Sequence, residues 1–77
     1  MEDSQLIAAY SKTLKSLREK KSISQEKLAF KAGLHPTYIS LLERQKRQPS
    51  LVVIFKIALE LGYQPSEFIK EVELAIK

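Results

Sequence analysis

The chain has 77 residues, no cysteine, one histidine and a formal net charge of +4. That length bounds it to one domain, 1–77, that buries only about 60% of its unfolded surface, and no disulfide or thiolate metal site is available to reinforce it. The longest apolar run, LVVIF at 51–55, falls far short of the roughly 20 residues of a membrane span, and the acidic start MEDSQ lacks a signal-peptide core, so a cytoplasmic protein is expected.

The basic charge sits in the middle of the chain. Residues 12–47 hold ten Lys or Arg and three Glu, a net +7, whereas residues 1–11 carry −2 and residues 48–77 carry −1. A polyanion is the natural partner of such a segment, and a solvated basic surface is the plain alternative.

Hydrophobic periodicity predicts five helices and no strand. Leu6, Ile7, Tyr10, Leu14 and Leu17 recur at helical spacing, which marks a first helix over about 4–20. Ser24 caps the second, whose inner face is Leu28, Ala29 and Ala32, and Gly33 ends it because glycine takes the left-handed conformation without a Cβ clash. The third starts at His35 or Pro36, with Ile39 and Leu42 inward and Tyr38 at the edge. Arg44, Lys46, Arg47 and Pro49 mark a loop. Ser50 caps the fourth helix and Gly62 stops it; Pro65 opens the fifth, which is expected to run to the end.

Two short helices joined by a glycine turn, over about 24–44, form the pattern of a helix-turn-helix. In that arrangement the second helix presents its N-terminal residues to base edges in the major groove. Ala29 and Gly33 are the small residues expected where the two helices cross.

The stretch from Thr13 to Ile69 resembles the DNA-binding domain of the phage repressor and Cro (XRE) family. SQEKLA, AGL, YIS, LER, PSL and LG stand at that family's spacings. The resemblance implies an all-α, five-helix domain that binds an operator in double-stranded DNA as a homodimer and regulates transcription, with RNA polymerase a candidate partner. Among stand-alone members it is most similar to controller proteins of restriction–modification systems; phage-type repressor, antitoxin and a protein–protein adaptor on the same scaffold are the alternatives. No appended sensor domain is expected.

Roles follow by position. Arg18 and Glu43 match a largely buried ion pair. Gln25 matches a residue that meets a phosphate through its side chain or its N–H, where the helix N-terminus favours an anion. Pro36, Thr37, Tyr38 and Leu41 match groove-facing positions, with Ser40 at the margin, and His35, the expected helix cap, is counted with them among the DNA-binding residues. Tyr38 is open between ring packing and phosphate contact. Arg44, Lys46 and Arg47 match the loop that grips the backbone. The sequence also departs from the family: Ser22 and Gln45 stand where glycine is common, and Pro36 and Leu41 where polar side chains are common. Specificity is therefore expected to rest on Thr37, the loop arginines and DNA shape.

The fourth helix is apolar nearly all round, so it calls for cover on two sides. Ile54, Ile57, Ala58 and Leu61 are expected in the core. Val52, Phe55 and Leu59, extended by Phe68 and Val72, are expected at a two-fold interface within the dimerisation helices, about 50–77. A single extended core is the alternative. Catalysis is not expected, nor any cofactor or metal: one histidine without a second soft ligand makes no zinc site, and two glycines 29 apart build no phosphate loop.

Overall fold

The computed structural model describes residues 1–76, which form α1 (Asp3–Lys20), α2 (Gln25–Ala32), α3 (Pro36–Glu43), α4 (Leu51–Glu60) and α5 (Pro65–Ala75). No strand occurs among the described residues. The helix starts are set by local chemistry. Ser24 Oγ accepts from the Lys27 N–H at 3.0 Å and Ser50 Oγ from the Val53 N–H at 3.1 Å. His35 Nδ1 accepts from the Thr37 N–H at 3.1 Å, with Pro36 at the first helical position, where no N–H is needed. Ahead of α5, the Gln64 N–H donates to Glu67 Oε1 at 2.9 Å. The fifth helix stops at Ala75, where Ile76 turns extended with ψ 132°; the expectation for Lys77 lies outside the described residues.

Four helices end through a left-handed residue followed by an apolar or basic one that closes back on the last turn. The left-handed residues are Ser22 (φ 55°), Gly33 (φ 70°), Gln45 (φ 62°) and Gly62 (φ 82°). The closing bonds run from the N–H groups of Ile23, Leu34, Lys46 and Tyr63 to the carbonyls of Arg18, Ala29, Leu41 and Ala58. Gly33 serves this geometry alone. A Cβ there would meet nothing within 4 Å, so it is not a close-approach residue, contrary to expectation. Of the two small residues expected at the α2–α3 crossing, Ala29 is fully buried in the core.

All five helices feed one core, in which Leu14, Leu28, Ile39, Leu42, Ile57, Leu61 and Phe68 are fully buried. Each such side chain contributes about 1.5–3 kcal/mol. α1 lies chiefly on α5, and α2 on α3. The Tyr10 and Phe68 rings meet at 5.7 Å, tilted by 57°. Two expectations fail here. Phe68 is 0% and Val72 3% exposed, so neither is free to meet a second copy. The α1–α5 packing turns their side of α5 inward and leaves Ile69 and Leu74 outside. At the start of α1, Leu6 is exposed and Ile7 only half-buried.

The polar centre of the fold joins α1 to the end of α3. Arg18 grips Glu43 with two parallel bonds, Nε to Oε2 at 2.6 Å and Nη2 to Oε1 at 2.9 Å. The side chains are 11% and 3% exposed. Arg18 Nη1 also donates to the Ile23 carbonyl at 2.8 Å, and Gln25 Nε2 donates to Glu43 Oε1 at 2.9 Å. The hydrogen bond to Glu43 holds the Arg18 pKa above its ordinary value, against the opposing effect of burial. Nearby, Ser11 Oγ donates to the Leu42 carbonyl at 2.6 Å, which satisfies an acceptor at the C-terminal end of α3.

Two expected outcomes follow. Ser22→Gly and Gln45→Gly should each stabilise the fold by about 1 kcal/mol, because an L side chain is strained in the left-handed region. Thermal melting followed by circular dichroism should show a rise of about 4–8 °C per substitution. Arg18→Met should cost about 3–5 kcal/mol in urea unfolding, since Glu43 is left buried without its cation, and the double change Arg18→Met with Glu43→Leu should recover most of that loss.

Candidate nucleic-acid interface

Ile39 and Leu42 point α3 into the core. Thr37, Ser40, Leu41 and Arg44 recur at i, i+3, i+4 and i+7, so they line the opposite side. Thr37 and Arg44 are exposed, and Ser40 and Leu41 half-buried. The anchors of α3 gather at its C-terminal half, through the Leu42 carbonyl and the Glu43 carboxylate. Its first turn, with His35, Pro36 and Thr37, stands exposed. The result is a short rod held firmly at one end and offered at the other.

Tyr38 lies at the boundary. It is half-buried and packs against the core cluster. Gln25 is also half-buried, and its amide is engaged by Glu43, so a phosphate at this corner would be met by the free N–H groups of the first turn of α2. The loop after α3 places Arg44, Lys46 and Arg47 in solvent. The Lys46 N–H to Leu41 carbonyl bond, 2.9 Å, folds the start of that loop back onto α3. The loop cations therefore continue the exposed stripe of α3 past its clamped end. Arg18–Glu43 is the only ion pair among the described residues, which leaves these cations available to an external anion.

The apolar face of α4 lies open. Val52 is 62%, Phe55 46% and Leu59 57% exposed, and Leu51 stands beside them. Sequence reasoning placed the first three there and missed Leu51. It also missed Ser11, because a mid-helix serine whose partner lies 31 residues away leaves no local signal. Among the described residues, no group of three or more His, Cys, Asp or Glu could hold a metal ion, and no helix is long and apolar enough to cross a membrane.

These features agree with the comparisons to known proteins. A helix-turn-helix family model matches residues 14–68, most of the chain. Control protein C.BamHI of Bacillus amyloliquefaciens is 52% identical over 50 residues, which cover 65% of this chain and 62% of that one, so the match spans less than two thirds of that relative. Control protein C.MunI of a Mycoplasma species is 44% identical over 61 residues, 78% of this chain and 82% of that one. In structure, the fold matches the restriction–modification controller protein C.Esp1396I, solved as a tetramer in complex with its natural 35 base-pair operator, with a TM-score of 0.86, 31% identity, and coverage of 92% of this chain and 93% of that one. The chain belongs to the helix-turn-helix family of the phage repressor and Cro type, and within it is similar to the controller proteins of restriction–modification systems.

Proposed function

We propose that this protein is a homodimeric transcriptional regulator that binds a specific operator in double-stranded DNA, in the manner of a restriction–modification controller. The observation that carries the reading is the exposed stripe of α3, continued by the Arg44–Arg47 loop, on a helix clamped at its C-terminal end with its first turn exposed. α3 enters the major groove with its first turn leading. Thr37 offers a hydroxyl to a base or phosphate, and Leu41 an apolar contact to a thymine methyl. Arg44, Lys46 and Arg47 hold phosphates or reach a guanine. Tyr38, whose ring packs against the core, is proposed to offer its hydroxyl to a phosphate.

In this reading the dimer forms through Leu51, Val52, Phe55 and Leu59 of α4, an apolar face without cover in one protomer. Residues 24–44 make the reading unit, and α4 the dimerisation helix within one domain. RNA polymerase is a further proposed partner, met when the dimer sits beside a promoter. The role is binding rather than catalysis, with the sole histidine committed to a helix cap.

Selection of bound sites from random duplexes tests the reading. It should recover two symmetric half-sites with centres about one helical turn apart, 10–10.5 base pairs. Recovery of no motif, with attraction that disappears on raising salt to about 0.15 M, would instead favour a protein–protein adaptor. Thr37→Ala should change the preferred sequence, whereas Arg47→Ala should weaken all sequences alike and lower the salt slope by about 1 if it holds a phosphate. Phe55→Asp should sediment as a monomer with undiminished helix content, because the residue is exposed in the protomer, and should lose operator affinity.

A further inference from the structure

Away from the reading face, a groove of about 480 Å³ opens between the start of α1, the end of the loop before α4, and α5. Its walls are apolar, with Leu6, Ile7, Ile54, Ile69 and Val72 among them, and Pro49 closes one side. Three observations set it apart from a packing fault. The volume falls in the range of small-molecule sites, about 300–1,000 Å³. The hydroxyl of Tyr10, a residue that lines the groove and is only 4% exposed, has no hydrogen-bond partner among the described residues. A buried hydroxyl in that state costs about 1–3 kcal/mol. Finally, among the described residues the charged groups on the lining are Asp3 and Glu73, with no basic residue.

The two carboxylates are not equivalent. Asp3 sits in the first turn of α1, where the partial positive charge of the helix end offsets it. Glu73 sits in the last turn of α5, which holds no basic residue, so its charge adds to the negative helix end. A cation is favoured most beside Glu73.

We propose that this groove is a binding site for a small aromatic amine, with its ring between α1 and α5, its ammonium against Glu73, and a ring N–H or hydroxyl paired with Tyr10. The Tyr10 hydroxyl is enclosed in this structure, so the pairing requires the occupant to displace part of the wall. Gln48 and Pro49 on the wall end the loop that carries Arg44–Arg47, so an occupant touches the segment that positions those cations. The site does not depend on DNA binding and is tested without DNA.

The test is a nuclear magnetic resonance titration of the full chain with three probes on one ring: tryptamine, the neutral tryptophol and the anionic indole-3-propionate. Tryptamine should give saturable shifts at Ile54, Ile69 and Val72, with an affinity about three- to tenfold above that of tryptophol, and indole-3-propionate should bind more weakly still. Glu73→Gln should bring tryptamine down to tryptophol. Tyr10→Phe should weaken tryptamine by about three- to tenfold while melting no lower than the parent, since it removes an unpaired hydroxyl. The absence of saturable shifts, equal affinity for the three probes, or an unchanged preference in Glu73→Gln would overturn the proposal. So would groove signals that respond to protein dilution but not to probe, which would assign the groove to a second copy of the chain.

Discussion

The guanidinium of Arg18 makes two bonds to Glu43 and a third to the Ile23 carbonyl, and most of the rest of the molecule is arranged around it. The ion pair is almost dry, and a nearly dry pair is tolerated only when its remaining groups are satisfied. Gln25 completes the shell by donating to the carboxylate. The cluster thus ties α1, the turn after it, the first residue of α2 and the last residue of α3 into one unit. Its value is geometric more than energetic. A planar fork meets a planar carboxylate in few orientations, so the pair sets the angle of α3 as well as its position. Ser11 adds a second, independent hold on the same end of the helix through the Leu42 carbonyl.

Holding α3 by its end has a consequence for recognition. The residues nearest the clamp, Leu42 and Glu43, are fixed, whereas the first turn carries no such restraint and faces solvent with Pro36 and Thr37. His35 and Pro36 add local means, a cap and a preset φ, and Tyr38 packs on the core, so the exposed end stays helical. A rigid rod with an exposed tip suits a groove that admits a helix but not a loop. In the proposed function, the few hydrogen-bonding groups on that tip would shift weight to the loop cations, as for a reader of backbone shape as well as of bases.

The helix ends show how a small domain economises on turns. Four connections use the same left-handed closure, yet only two of them carry glycine. At Ser22 and Gln45 the strain is tolerated because the flanking structure determines the corner: Ile23 and Arg18 at one, α3 and its clamp at the other. Both non-glycine corners bound the polar cluster, and both are held by it.

The sequence by itself determined whatever depends on neighbours within about four residues. Ser24, His35 and Ser50 as caps, Gly33 and Gly62 as left-handed stops, and the inward stripes of α2 and α3 were all legible, because a cap or a helical face is a property of local spacing. The family spacings added the Arg18–Glu43 pair, whose members lie 25 residues apart. The open face of α4 was legible too, since eleven nearly all-apolar residues in a small domain outnumber the core positions available to them. Only the tertiary structure decided how α5 is rotated. Phe68 and Ile69 are both apolar neighbours, and α1 buries the first and leaves the second outside. It also decided that Gln25 is spent on Glu43, that Ser11 reaches the end of α3, and that the hydroxyl of Tyr10 is enclosed without a partner. Periodicity gives a helix its faces but not the neighbour each face meets, and burial and hydrogen bonding between distant residues follow from that neighbour.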